Sequence, residues 1–199
     1  MIAVVLLAAG QGVRMNSNKQ KILHEVGGRP MVLHAFLAAE TVADLPPVLV
    51  VGPDEAGVRT LLGERACYVV QHEALGTGHA TRMAAEALRG RAEQVIITYG
   101  DMPLLRAETL RRLAAAQHES GAAVALLSVI GEPGSSFGRV MRDELGRVRE
   151  IVEVAEARRR PNTVALLAIT ELNAGVYCFD GDWLWANIDR LPIREARRG

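Results

Sequence analysis

Apolar runs rich in branched residues recur through the first two thirds of the chain: Ile2–Leu7, Val48–Val51, Cys67–Val70, Val95–Tyr99 and Ala122–Val129. Stretches with helical periodicity separate them. Strands that alternate with helices close into a mostly parallel sheet, because each connecting helix must lay its apolar stripe on a sheet face. The stripes are present. Ala80, Met83, Ala84, Ala87 and Leu88 follow the i, i+3, i+4, i+7, i+8 pattern, and Leu110, Leu113 and Ala114 line up after Glu108. Start signals agree: Pro30 suits a first turn, Asp54 is expected to cap 55–62, and Thr77 to cap 78–88. With 199 residues, 49% of them apolar and 4% aromatic, the chain is long enough to bury a substantial core as an α/β domain.

After Ile130 the pattern changes. Gly131-Glu132-Pro133-Gly134 breaks the alternation, and two short strand-like runs follow at Arg139–Arg142 and Arg147–Val152, with Leu145-Gly146 turning between them. A polar, Pro-containing stretch at 158–162 leads to a further strand, Leu172–Phe179, and a Trp-rich helical segment from Asp182. A single domain is expected over 1–199, with a core over 1–130 and a smaller part, 131–199, set on it.

Lys plus Arg and Asp plus Glu each number 23, so no global field draws in a nucleic acid or an anionic membrane, and phosphate binding must be local. The opening run Ile2–Leu7 is too short to span a membrane and enters a Gly-rich loop, so it reads as a buried strand. Cys67 and Cys178 lie in apolar runs without a Cys-x-x-Cys pair, which predicts buried free thiols in a reducing cytoplasm.

That loop is Ala8-Ala9-Gly10-Gln11-Gly12-Val13-Arg14-Met15, with Lys19 and Lys21 beyond it. Small residues let the backbone approach a ligand, successive N–H groups in such a turn cradle phosphate oxygens, and Arg14 and Lys21 add positive charge. Two other Gly-rich motifs fail on spacing. A dinucleotide fingerprint from Gly10 needs Gly or Ala where Met15 stands, and a Walker loop needs an absent Gly-Lys-Ser/Thr. Gly134-Ser135-Ser136-Phe137-Gly138 matches Gly-x-Ser-x-Gly, but a hydrolase elbow requires a strand before it and a helix after it, whereas Pro133 precedes it and strand-like residues follow. Arg158–Arg160 reads as a solvated loop.

Leu7-Ala8-Ala9-Gly10-x-Gly12-x-Arg14-Met15, with Lys21 beyond, resembles the signature of the nucleotidyltransferase superfamily. Three further segments, Gln71-x-x-x-Leu75-Gly76-Thr77-Gly78-His79-Ala80, Tyr99-Gly100-Asp101-Met102-Pro103-Leu104 and Glu171-Leu172-Asn173-Ala174-Gly175, narrow the resemblance to the uridyltransferase (pyrophosphorylase) domain of the N-acetylglucosamine-1-phosphate uridyltransferase family. It runs from Ile2 to about Trp185. It implies a Rossmann-like doubly wound sheet with a small sugar-binding β lobe, and transfer of UMP from UTP to N-acetylglucosamine-1-phosphate with release of pyrophosphate. It also implies a place in the nucleotide-sugar supply for the cell wall and peptidoglycan.

The residue roles follow from the same resemblance. Leu7, Ala8, Ala9, Gly10, Gln71, Gly76, Thr77, Tyr99 and Gly100 would hold the nucleotide, with Gln71 and the turn at 76–78 meeting the uracil. Arg14 and Lys21 would act on the phosphates. Asp101, just beyond a strand end, would bind Mg2+, since one carboxylate plus substrate phosphates is a usual magnesium arrangement. Gly138, Glu153 and Asn173 would hold the sugar phosphate, and His79 is either structural or a ligand contact. Three departures stand out. Val13 replaces a common Thr, Val154-Ala155-Glu156-Ala157 replaces the usual sequence after Glu153, and an Asn that is the family's second magnesium ligand comes from beyond residue 199.

No general base is demanded, because the attacking sugar-phosphate oxygen is already an anion and the rate comes from aligning two polyanions and neutralising charge. The expected partners are UTP and N-acetylglucosamine-1-phosphate, with no nucleic acid, no membrane, and a homo-oligomer formed through a C-terminal domain outside this chain. Two alternatives stay open. A cytidylyltransferase of the same superfamily shares the first loop and a Gly-Asp-x-Pro step but gives no reason for Leu75–Ala80; a nucleotide-binding fragment without turnover is favoured by the absent second ligand.

Overall fold

The computed structural model describes residues 1–10, 15, 17 and 19–191. Val13, Arg14 and the basic end beyond Leu191 lie outside the described residues. The chain divides into two compact units, one comprising Met1–Ala125 and Tyr177–Gly199, the other Leu126–Val176.

The first unit is built on β1 (Ile2–Ala8), whose residues from Ala3 to Ala8 are all buried. A 3₁₀ turn, Lys21–Leu23, and a small hairpin, β2 (Glu25–Val26) and β3 (Arg29–Pro30), lead into α1 (Met31–Glu40). The chain then runs through β4 (Val48–Val51), α2 (Ala56–Leu62), β5 (Cys67–Val70), α3 (Thr77–Met83), α4 (Ala85–Leu88), β6 (Gln94–Tyr99) and α5 (Ala107–Ser120). The strands lie in the order β5-β4-β1-β6, all parallel, with Val5 level with both Val48 and Ile97. Winding proceeds from β1 outward to β4 and β5, then returns to β6 on the other side of β1. That reversal is a topological switch point, and open α/β sheets bind ligands outside the carboxyl ends of strands at such a point.

Both sheet faces are covered, which is why the central strands are apolar without alternation. Ala3, Val5, Leu7, Val48, Val50, Val95 and Ile97 pack with Ala80, Ala84 and Leu88, and with Leu184, Trp185 and Ile188. The alternate residues Val4, Leu6, Leu49 and Ile96 are at most 1% exposed. α1 packs on β1 and against α5, which in turn lies on β6. The end of β10 (Glu171–Asp180) adds an antiparallel strand, Tyr177 pairing with Ile97 and Asp180 with Gln94. Asp180 accepts a hydrogen bond from Trp183 N at 2.8 Å and so caps the helix Gly181–Asn187.

The second unit holds most of β7 (Val124–Ile130), the antiparallel hairpin β8 (Arg139–Arg142) and β9 (Val148–Val152), α6 (Val154–Ala157), α7 (Thr163–Leu167) and the first half of β10. Leu172 of β10 pairs with Arg139. Val152, Ala157 and Leu166 form its small core with Met141, Leu167 and Ile169. Arg142 makes two 2.7 Å hydrogen bonds to the carboxylate of Glu171, which also accepts from Ser128.

The strands match the apolar runs, and the fold is the expected mixed, mostly parallel α/β sheet. Several local expectations are corrected. Asp54 does not cap α2: the helix starts at Ala56 with Glu55 at the cap, and the Glu55 carboxylate pairs with Arg59 at 2.9 Å instead. Thr77 is not a cap but the first residue of α3, because Gly76 occupies the cap position. The helix predicted to run to Leu88 breaks at Ala84, where Ala84 N turns to Thr81 O; the Thr81 hydroxyl donates back to Thr77 O, a bond that bends helices. Pro30 sits just before α1 rather than in its first turn. Cys67, on the edge strand β5, is only half-buried, whereas Cys178 is fully buried and burial pushes its thiol up to about 12. α7 arises in a region read only as polar loop and strand approach.

Candidate functional site

The carboxyl end of β1 and its neighbours frame a cavity of roughly 320 Å³ in the first unit. Ala8, Ala9 and Gly10 line it, and so does Gln71, which leaves β5 with its backbone N–H bonded to Val51 O at 2.8 Å. Gln71 is 6% exposed, and its Nε2 lies 2.8 Å from His79 Nδ1. Gln71 is thus held through its backbone N–H by β4 and through its side-chain amide by an imidazole.

Gly52, Asp54 and His72 also line this cavity and were not expected there. Their signal was available in outline: β4 and β5 end level with β1, so the residues after all three strands converge. Asp54 drew a capping assignment because Asp before a helical stretch usually caps. Gln20 lines the cavity as well, and its Oε1 is buried with no hydrogen-bond partner among the described residues. An unpaired buried acceptor costs about 1–3 kcal/mol, which a donor on a bound molecule would relieve.

Leu7 pairs with Val50 on one side and Tyr99 on the other, so the first loop and the end of β6 are adjacent. Gly100 donates its N–H to Leu7 O at 3.0 Å, and a Cβ added at Gly100 would stand 3.3 Å from the Ala8 Cβ. One residue further, Asp101 Oδ2 accepts from Lys21 Nζ at 2.5 Å across 80 residues of sequence. Both side chains remain about a third exposed, at 39% and 30%. An exposed pair of this kind contributes at most about 1 kcal/mol, so it can open when stronger charges arrive.

Gly76 takes φ +98° and ψ 176°, a backbone region essentially closed to residues with a Cβ, and turns the chain into α3. Thr77 follows, exposed at the start of the helix. Arg14 lies outside the described residues. Among the described residues no three His, Cys, Asp or Glu side chains cluster as a ligand cage. The metal-binding capacity at Asp101 is therefore one carboxylate at a strand end. That donor fits magnesium, which commonly takes one or two protein carboxylates and completes its shell with substrate phosphates and water.

In the second unit, Gly138, Glu153 and Asn173 come together. Asn173 N donates to Gly138 O at 2.8 Å, and a Cβ at Gly138 would fall 3.0 Å from Glu153 Oε1. Gly138 and Asn173 are buried, Glu153 exposed. Glu153 precedes α6, and its carbonyl accepts from Glu156 N and Ala157 N. Ser136 lies in the turn before β8, with strand and not helix after it, so no hydrolase elbow forms. Of the arginine run, Arg160 is held by Glu150 and Glu156 and its guanidinium is shifted up by them.

Residues 4–167 match the MobA-like NTP transferase domain. The Bifunctional protein GlmU of Heliobacterium modesticaldum is 41% identical over 193 residues, covering 97% of this chain and 41% of that protein. The Bifunctional protein GlmU of Anaeromyxobacter sp. is 42% identical over 202 residues, covering 99% of this chain and 40% of that protein. The chain thus spans about two fifths of the length of these relatives. A solved structure from Bacillus anthracis, provisionally named a glucose-1-phosphate thymidylyltransferase, shares the fold with TM-score 0.78 at 19% identity, over 96% of this chain and 76% of that one. The chain belongs to the MobA-like NTP transferase domain family, whose match begins within β1 and extends through α7.

Proposed function

We propose that the chain transfers UMP from UTP to N-acetylglucosamine-1-phosphate and releases pyrophosphate. The observation that carries this is the convergence of Ala8–Gly10 and Gln71 on one cavity at the switch point of a parallel sheet, whose next strand end bears Asp101, paired with Lys21 of the 3₁₀ turn. The name of the relatives that match nearly the whole chain agrees with it.

In this reading Ala8, Ala9 and Gly10 bring backbone close to the triphosphate, and Lys21 leaves Asp101 to neutralise phosphate oxygens together with Arg14. Asp101 is the residue that would hold Mg2+; the ion, when bound, supplies positive charge to the phosphates. Leu7, Tyr99 and Gly100 shape the floor, and Gln71, Gly76 and Thr77 meet the pyrimidine. Residues 131–199 include the sugar-binding part: Gly138, Glu153 and Asn173 recognise the sugar phosphate, the carboxylate and amide being suited to hydroxyl groups. The acceptor oxygen is already anionic, so these residues bind, align and neutralise rather than remove a proton.

A reaction on UTP and a sugar phosphate points to the cytoplasm, and no helix among the described residues is long and apolar enough to cross a membrane. The relatives are bifunctional by name; only the part of them that this chain matches is at issue. Cytidylyl transfer is a second reading, because a carboxamide such as Gln71 fits uracil or cytosine according to which way it is turned. Pyrophosphate release measured with each of four nucleoside triphosphates and several sugar phosphates separates the two. UTP with N-acetylglucosamine-1-phosphate is expected to be fastest; faster release with CTP would transfer the assignment to cytidylyl chemistry, and UTP binding without release would leave a binding domain.

A further inference from the structure

The side chain that touches Gln71 has no role in the scheme above. His79 lies two residues into α3, half-buried, with Nδ1 at 2.8 Å from Gln71 Nε2. Gln71 itself is 6% exposed and lines the cavity. A neutral imidazole whose proton is on Nε2 presents a lone pair at Nδ1, which accepts one N–H of the Gln71 amide. Were the amide turned over with the proton kept on Nε2, its oxygen would face that lone pair, two acceptors at hydrogen-bond distance with no proton between them; only a proton moved to Nδ1 would satisfy it.

This matters because the two pyrimidines differ by an exchange of donor and acceptor. Uracil offers a carbonyl oxygen beside an N–H; cytosine offers an amino group beside a bare ring nitrogen. A carboxamide free to rotate by half a turn pairs with either one. A carboxamide fixed in one orientation pairs with one and leaves the other with mismatched groups.

We propose that His79, with its proton on Nε2, is a positioning residue that holds the Gln71 carboxamide in one orientation and so makes the site choose between uracil and cytosine. It rests on the assignment of Gln71 to the pyrimidine. His79 does not touch the nucleotide in this scheme; it acts only through Gln71. The seven-residue helix α3 therefore carries the partner of a side chain that lines the cavity, and Gly76 sets where that helix begins.

The test is the ratio of UTP to CTP dissociation constants, measured by titration calorimetry with magnesium on the 199-residue chain, for wild type, His79→Phe, Gln71→Ala and the double variant. His79→Phe keeps a planar aromatic ring and removes the acceptor; His79→Ala replaces it if the phenylalanine variant does not fold. Wild type is expected to favour UTP by about tenfold or more, the scale of one paired hydrogen bond. The ratio should fall toward one in His79→Phe and in Gln71→Ala, and the double variant should match Gln71→Ala alone. A His79→Phe protein that keeps the wild-type ratio, or weakens both nucleotides equally, overturns the inference while leaving Gln71 as the base reader. A Gln71→Ala protein with the wild-type ratio, or a wild type without preference, overturns the base-reading assignment and this inference with it.

Discussion

In the proposed reaction Lys21 and Asp101 are the residues on which the chemistry depends most, and they are paired with each other at 2.5 Å. A lysine beside the carboxylate keeps that strand end near neutrality in the protein alone, and a polyanion with its cation can replace both partners. Asp101→Asn should keep the fold, because the amide retains the shape and an exposed pair contributes little stability. It should lower magnesium-dependent pyrophosphate release by about a hundredfold or more, the scale of losing one group that faces developing charge. Release at the wild-type rate, with an unchanged melting temperature, would make Asp101 a structural residue. The position of Asp101 after β6 was legible in the sequence, because Tyr99-Gly100-Asp101 follows an unbroken apolar run. Its partner was not: no periodicity connects residues 80 apart, and only the adjacency of β1 and β6 brings them together. The link between Gln71 and His79 was hidden for a similar reason, since it spans a turn whose geometry depends on the positive φ of Gly76.

At the scale of elements, turns and hairpins decide where side chains stand. Gly76→Ala forces a Cβ into a backbone region held almost entirely by glycine, so the entry to α3 should be strained by about 1–3 kcal/mol. Chemical denaturation should show a lower midpoint, and UTP affinity should fall as His79 and Thr77 shift; an unchanged midpoint would mean that the turn relaxes into another conformation without cost. In the second unit, the Arg142 guanidinium, aided by the Ser128 hydroxyl, holds the Glu171 carboxyl below the usual carboxylate range. A depressed folded-state value means that this contribution is complete above the unfolded carboxyl value of about 4.3 and is lost as pH falls through the lower folded value. Glu171→Gln should accordingly lower the melting temperature at neutral pH, and the difference from wild type should vanish in acid below that folded value. A constant difference across the range would assign the effect to packing. The strands were legible because β-branched runs of four to seven residues have few other uses. α7 was not, since Thr163-Val164-Ala165-Leu166-Leu167 carries β-branched residues and leaves Val164 85% exposed; it is helical because Leu166 fills the small core beside Val152 and Ala157.

Across the whole molecule, equal numbers of acidic and basic residues leave no broad field, so affinity for phosphate depends on the local arrangement at the strand ends. The sheet order creates that arrangement by reversing next to β1, which puts the small-residue loop and the Gly100-Asp101 step on neighbouring strands. The same order explains why Asp54 and Gln20 were misread or overlooked. A linear scan sees Asp54 as a capping residue, whereas the parallel register brings the end of β4 to the cavity that Gln20 also lines. The central claim concerns which phosphorus is attacked, and phosphorus-31 NMR of the chain with UTP, N-acetylglucosamine-1-phosphate and magnesium reports that directly. The predicted result is loss of both substrates with equal appearance of a UDP-sugar diphosphate signal and pyrophosphate. UDP with orthophosphate, or UTP consumed while the sugar phosphate stays intact, would contradict it.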